Sequence, residues 1–196
     1  AIPPEDTPIP EARGCLMKLK DQGKIRAIGV SNVSLDQFKT YDSVGELSSN
    51  QFRYSMLHRD REEDILAYAA KHDIATLTYW SLEAGLLAGK VNLERVFEKN
   101  DFRNHAAQWH PWYKKENIER LLDVFVKWSD ILNRHECTLS QLVIAWTAAQ
   151  PGASHVLCGA KTAAQSEQNA DAGSIVLEPD EIDRIRDDLN ALGDPI

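Results

Sequence analysis

Cysteine, basic residues and long apolar runs are all scarce in this sequence of 196 residues. Its three cysteines, Cys15, Cys137 and Cys158, are widely spaced and form no Cys-x-x-Cys pair. This pattern argues against a disulfide framework and against a zinc site, so we expect no metal. Free thiols are typical of a reducing compartment, which predicts a cytoplasmic protein.

The shortage of basic residues excludes another class of protein. Lysine and arginine number 22 against 30 aspartates and glutamates, which gives a net charge of −8, whereas a non-specific nucleic-acid binder needs excess positive charge. No apolar run approaches the roughly 18 residues of a membrane span, and the first residues lack the basic and apolar regions of a signal peptide. We therefore expect neither a nucleic-acid partner nor a membrane.

The residues that are abundant indicate a folded α/β chain. The apolar fraction of 43% and charged fraction of 27% are globular values, and the length predicts one domain over residues 1–196. Runs rich in β-branched and aromatic residues predict strands at 24–32, 49–54, 74–80 and 155–160. Because helix patterns alternate with these runs, we expect crossover connections and a parallel sheet.

Helix start signals follow several of the strands. Four segments place a Ser, Thr or Asp three residues before a Gln or Glu, as in a capping box: Ser34–Gln37, Asp60–Glu63, Thr138–Gln141 and Thr162–Gln165. Further patterns predict a helix from Pro8 to Gly23, two helices within the long segment 86–151, and a helix over 180–192. Residues 100–113 have no clean period, which predicts a loop.

The strand number leaves two architectures open. A closed (β/α)8 barrel needs eight strands and about 250 residues. Four predicted strands in 196 residues therefore fit either a small open α/β sheet or half of such a barrel.

Five motifs, in order and spacing, resemble the C-terminal half of the aldo-keto reductase family over essentially the whole chain: GKIRAIGVSN (23–32), SNQFRYSMLHRD (49–60), TYWSLEAGLLAGK (78–90), NDFR (100–103) and CGAKTAAQSEQN (158–169). The long segment after GLLAGK, with its NDFR, is similar to the branch that includes the potassium-channel β-subunits and related bacterial reductases. The resemblance implies that this chain supplies strands five to eight of a (β/α)8 TIM barrel, which binds NADP(H) across the carboxyl ends of its strands.

The resemblance also implies a role for each end of the cofactor site. Ser31, Asn32 and Gln51 would hold the nicotinamide carboxamide, whose acceptor and donors an amide side chain can match. Tyr79 would stack on the nicotinamide ring and select the face that presents hydride. The residues implied at the pyrophosphate are Trp80, Ser81, Leu82, Lys90 and Arg103.

Three residues depart from the family pattern at the pyrophosphate. Trp80-Ser81-Leu82 stands where the family shows Ser-Pro-Leu, and Glu83 replaces a small residue with a charge that is unfavourable beside phosphates.

The residues implied at the adenosine end are Gly159, Lys161, Gln165, Gln168 and Asn169. Thr162 would cap the helix whose N-terminus, with Lys161, favours a 2′-phosphate and hence NADPH over NADH.

No catalytic residue is expected in this chain. The family mechanism uses a Tyr, with a Lys and an Asp, to donate a proton, and a His to orient the substrate, and the resemblance assigns all four to strands that precede this chain. Its six histidines, His110 among them, are interpreted as surface or capping residues. The chain alone is expected to be inactive.

Three functions remain open from the sequence. The first is the cofactor-binding half of an oxidoreductase that reduces a small carbonyl substrate or oxidises an alcohol, with the missing N-terminal half or another subunit as its partner. The second is a non-catalytic nucleotide-binding, regulatory or scaffold module. The third is an independent small α/β domain.

Overall fold

A computed structural model describes residues 7–196, which divide into two compact units. The sheet unit comprises residues 7–79 together with Gln150–Leu157. The helical unit comprises Trp80–Ala149 and Cys158–Ile196. Over the described residues, no helix is long and apolar enough to span a membrane.

The sheet unit contains a four-stranded parallel sheet, as the sequence predicts. Its strands lie side by side in chain order: β1 (Gly29–Ser31), β2 (Ser49–Arg53), β3 (Ala75–Tyr79) and β4 (His155–Val156). The predicted first and last strands are too long. Residues 24–28 lie outside the ladder because β1 pairs only along Gly29–Ser31. Just after β4, the Leu157 N–H donates to the Thr78 carbonyl of β3 at 2.8 Å.

Helices connect these strands as predicted. The sheet unit contains α1 (Ile9–Asp21), α2 (Leu35–Ser43), and a π-helical turn (Glu62–Leu66) that continues into α3 (Ala67–Lys71). α1 ends just before Gly23, whose φ of +69° suits a helix stop. The buried side chains of this unit form one apolar cluster: Ile28, Val30, Val33, Phe38, Tyr41, Leu47, Phe52, Tyr54, Ile65, Leu66, Ala69 and Ile74.

The helical unit contains five helices. These are α4 (Lys115–Lys127), α5 (Ser129–Arg134), α6 (Leu139–Ala148), α7 (Ala163–Asp171) and α8 (Pro179–Leu192). The two helices expected within 86–151 are observed as α4 and α6, and the one over 180–192 as α8, whereas α5 was not expected. The prediction of a loop over 100–113 is wrong, because two 3₁₀ segments, Phe102–Gln108 and Pro111–Tyr113, form there. Asp101 accepts a bond from the Arg103 N–H and starts the first, and Pro111 starts the second.

Two of the four predicted capping boxes form in full, at Ser34 and Thr138. The box at Thr162 forms by half. Its hydroxyl accepts from the Gln165 N–H at 3.2 Å, but the Gln165 side chain accepts from the Lys161 N–H at 2.7 Å instead.

The prediction of a helix cap at Asp60 is wrong. The helical turn begins after Arg61 and has no side-chain cap. The Asp60 carboxylate instead lies 3.1 Å from His58 Nε2 and 3.4 Å from Arg61 Nε. Two neighbouring side chains thus compete with the backbone amides for the carboxylate oxygens.

Gly152 is the glycine that the sheet unit most requires. Its φ is +84°, and a Cβ at this position would lie 2.5 Å from the Leu66 carbonyl oxygen. Gly23 has a similar φ of +69° but no atom within 4 Å of such a Cβ. A comparison of substitutions at the two positions therefore distinguishes the cost of a positive φ from the additional cost of steric overlap.

We expect Gly23→Ala to lower the free energy of unfolding by about 1–2 kcal/mol, the cost of a left-handed alanine. Gly152→Ala should cost about 1–3 kcal/mol more, because the Leu66 backbone has to move. Urea denaturation of the two variants checks this difference. Equal losses would show that the close approach to Leu66 does not matter.

Candidate cofactor site

The sheet unit places the residues expected at the nicotinamide at or near the carboxyl ends of its strands. Ser31 ends β1 and Tyr79 ends β3, while Gln51, the register partner of Ser31, lies two residues before the end of β2. The Asn32 N–H donates to the Gln51 carbonyl at 2.8 Å, and the Tyr79 hydroxyl donates to Asn32 Oδ1 at 2.9 Å. Ligand sites of parallel α/β folds lie at this edge.

Local backbone geometry explains how Asn32 reaches Tyr79. Asn32 has a φ of +56°, a left-handed conformation that asparagine tolerates better than most residues. This turn places its side chain above the end of β3. The asparagine oxygen accepts from Tyr79, so its NH₂ group is the donor left for a carboxamide oxygen. Asn32 is exposed, while Ser31, Gln51 and Tyr79 are half-buried.

In the helical unit, the segment that begins at Trp80 has an unusual backbone. Three residues other than glycine have positive φ: Trp80 at 62°, Glu83 at 45° and Ala84 at 55°. Each costs on the order of 1–2 kcal/mol relative to a right-handed conformation. Such residues persist only where surrounding contacts hold them.

A buried contact between a carboxylate and an imidazole provides one of these contacts. The Glu83 side chain is 0% exposed, and its carboxylate lies 2.7 Å from Nε2 of His110, whose side chain is 5% exposed. A carboxylate removed from water needs such a partner. The interpretation of His110 as a surface or capping residue is therefore wrong. The charge of Glu83, expected to be unfavourable near phosphates, is instead matched by a buried imidazole.

Tyr113 contacts the backbone of the same segment. Its hydroxyl lies 3.1 Å from the Ala84 carbonyl oxygen and 3.4 Å from that of Glu83. Burial raises the pKa of Tyr113 to about 12, so the hydroxyl stays protonated and able to donate. No sequence pattern indicates this contact, because Tyr113 is 29 residues from Ala84 and lies in a stretch without periodicity.

Arg103 is held by a neighbouring acid rather than left free at the surface. Its Nε and Nη2 bond the two oxygens of Asp101 at 2.9 and 2.5 Å, its Nη1 lies 3.4 Å from the Ala84 carbonyl oxygen, and its guanidinium lies over the Phe97 ring at 4.4 Å. These hydrogen bonds hold the pKa of Asp101 well below its ordinary value, with a smaller contribution from the charge of Lys161. Any ligand of Arg103 therefore shares it with Asp101.

The remaining residues expected at the pyrophosphate differ in exposure. Ser81 is buried, Leu82 and Trp80 are half-buried, and Lys90 is exposed. The Trp80 indole is stacked on His110, with ring centroids 5.9 Å apart.

The residues expected at the adenosine end lie around the start of α7. Lys161 is exposed, and no atom lies within 4 Å of a Cβ placed on Gly159. The three amides make intrachain bonds: Gln165 to the Lys161 N–H, Gln168 to Thr138 at 3.3 Å, and Asn169 to the Gly159 carbonyl at 3.4 Å. Across residues 7–196, no three His, Cys, Asp or Glu side chains group as metal ligands.

Comparison with known proteins identifies the family. The family model described as "Aldo/keto reductase family" matches residues 1–189. The chain belongs to the aldo/keto reductase family. It is 33% identical to the NADH-specific methylglyoxal reductase of Escherichia coli, covering 98% of this chain and 57% of that protein. It is 36% identical to aldo-keto reductase YhdN of Bacillus subtilis, covering 96% and 56% respectively.

Solved structures show the same fold. A glycerol dehydrogenase from Gluconobacter oxydans matches 99% of this chain and 58% of its own, with a TM-score of 0.88 at 32% identity. The α/β fold thus matches that of TIM-barrel aldo-keto reductases. The chain spans little more than half the length of these relatives.

The Asp101–Arg103 pair predicts a specific loss of stability in acid. Because the pKa of Asp101 is lower in the folded protein, its contribution is complete above the ordinary aspartate pKa near 3.9 and is lost as pH falls below it. We expect Asp101→Asn to be less stable than the unmodified protein at pH 6, with a difference that shrinks below about pH 4. Urea denaturation at several pH values checks this. A difference that does not vary with pH would contradict the assignment.

Proposed function

We propose that this chain forms the cofactor-binding part of an NADP(H)-dependent aldo/keto reductase. The whole protein would reduce a small carbonyl compound or, in reverse, oxidise an alcohol. The observation that supports this most directly is the Tyr79–Asn32–Gln51 arrangement at the carboxyl ends of adjacent strands. Membership of the family and the residue chemistry described above agree with it.

The donor set of the sheet unit fits a nicotinamide. Asn32 and Gln51 provide amide donors and acceptors and Ser31 a hydroxyl, which together can orient a carboxamide. Tyr79 would lie against one face of the ring, and its hydroxyl bond to Asn32 holds it in place. A bound nicotinamide cofactor supplies hydride. The chain's own part is to bind and orient it.

Two lines of support differ on the choice between NADP(H) and NAD(H). Lys161 is exposed beside the Thr162 cap of α7, where a helix N-terminus and a cation both favour a 2′-phosphate. The relative from Escherichia coli is named as NADH-specific. We give more weight to Lys161, because it belongs to this chain.

We further propose that the four strands correspond to strands five to eight of the family barrel. Four parallel strands are half of the eight that a closed barrel needs. The proton-donating Tyr and its Lys, Asp and His partners would then come from the first half of the barrel or from another subunit. The long segment after Lys90 and the Asn100–Arg103 motif support placement in the branch that includes the potassium-channel β-subunits.

Tyr79 provides a test of nicotinamide binding. We expect Tyr79→Ala to weaken NADPH binding about tenfold or more, because aromatic stacking on a ring is worth about 1–3 kcal/mol. Tyr79→Phe keeps the ring and loses only the bond to Asn32, so it should bind within about threefold of the unmodified protein. NADPH fluorescence titration measures both. Equal affinity of Tyr79→Ala and the unmodified protein would refute the stacking.

Lys161 provides a test of cofactor choice. We expect Lys161→Ala to weaken NADPH binding about tenfold, the effect of losing one charge-assisted hydrogen bond, and to leave NADH binding unchanged. Lys90→Ala is the matched control, because a pyrophosphate contact should affect both cofactors alike. If Lys161→Ala leaves NADPH affinity unchanged, the protein does not use this residue to recognise a 2′-phosphate.

A further inference from the structure

We propose that His110 and Tyr113 are positioning residues for the cofactor. They hold the Glu83–Ala84 backbone so that the Ala84 N–H, rather than the Glu83 and Ala84 carbonyl oxygens, faces the pyrophosphate. Of the adjoining amides, the Glu83 N–H donates to the Trp80 carbonyl at 2.7 Å and the Gly85 N–H to the Leu82 carbonyl at 2.8 Å. The proposal rests on the proposed function, because it assigns a role within the same cofactor site. Neither residue belongs to a motif through which the sequence resembles the family.

The backbone carbonyls of Glu83 and Ala84 both point to the same side of the segment. The Glu83 and Ala84 carbonyl oxygens both face the Tyr113 hydroxyl, and the Ala84 oxygen also faces Nη1 of Arg103. A peptide group is planar and, with no cis bond among the described residues, trans. The Ala84 N–H therefore points away from Tyr113. A phosphate is attracted by N–H groups and repelled by carbonyl oxygens, so this orientation decides whether the segment can accept it.

The His110 imidazole contacts the side chains of both Trp80 and Glu83. Nε2 of His110 bonds the Glu83 carboxylate at 2.7 Å, and the His110 ring stacks on Trp80 with an interplanar angle of 19°. Trp80 and Glu83 are two of the three non-glycine residues in this segment with positive φ, the third being Ala84. His110 thus contacts the side chains of two residues whose positive φ is unfavourable without supporting contacts.

The negative charge of Glu83 also affects phosphate binding. A carboxylate in this segment would repel a phosphate if it faced the same side as the amides. The buried bond to His110 keeps it out of solvent. The same imidazole therefore contacts Trp80 and keeps the Glu83 carboxylate buried.

The test separates the pyrophosphate from the adenosine end. ADP-ribose contains both groups, whereas 2′-AMP has only the adenosine end, which the proposed function assigns to Lys161 and its neighbours. Isothermal titration of the full chain with each compound measures the two affinities. General damage to the fold would weaken both, while loss of positioning weakens ADP-ribose alone.

We expect His110→Ala to weaken ADP-ribose binding at least tenfold and 2′-AMP binding less than twofold. His110→Gln should restore part of the loss, because its amide can donate to Glu83. Tyr113→Phe, which removes only the hydroxyl, should weaken ADP-ribose about threefold to tenfold and serves as the second variant if His110→Ala does not fold. The matched control is His135→Ala, because His135 also pairs with a buried glutamate, Glu181, at 2.8 Å in the helical unit.

Three results would overturn the proposal. They are unchanged ADP-ribose binding in both His110→Ala and Tyr113→Phe, equal weakening of both compounds, and the same selective loss in His135→Ala. If the unmodified chain binds neither compound, the proposed function itself fails, and this inference with it. Binding by the unmodified chain with no effect of the variants refutes the positioning role alone.

Discussion

Parallel pairing of β1, β2 and β3 is the constraint on which the rest of the candidate site depends. Because the three strands run in one direction, their carboxyl ends meet at one edge of the sheet. Ser31, Gln51 and Tyr79 come from three separate regions of the sequence and lie together only for this reason. Each crossover also requires a helix, which accounts for α2 between the first two strands and α3 before the third.

In the helical unit, the main constraint is the unusual backbone of the segment after β3. The segment after β3 adopts left-handed conformations at residues that do not favour them, and the energy for this comes from contacts made by the stretch Asp101–Tyr113. The Tyr113 hydroxyl and the Arg103 guanidinium contact backbone carbonyls of this segment, and His110 bonds the Glu83 side chain. A stretch with no regular secondary-structure pattern thereby determines the shape of the segment that the family resemblance assigns to the cofactor.

The sequence alone predicts structure correctly where the physics is local. The capping boxes at Ser34 and Thr138 form because the partners are three residues apart and need no tertiary contact. The sequence does not show which of several possible partners a polar side chain bonds. Asp60 pairs with His58 and Arg61 rather than capping a helix, and His110 bonds Glu83, which lies 27 residues away.

The alternation of strands and helices, the parallel sheet and the family are all readable from the amino-acid sequence. Periodicity, caps and motifs are short-range signals that need no tertiary contact. The pairing of polar groups becomes visible only in the folded chain. Tyr79 bonds Asn32 across 47 residues, and Tyr113 bonds the Ala84 carbonyl across 29. Such pairings depend on the direction of each side chain after packing, and residue identity and spacing leave that direction open.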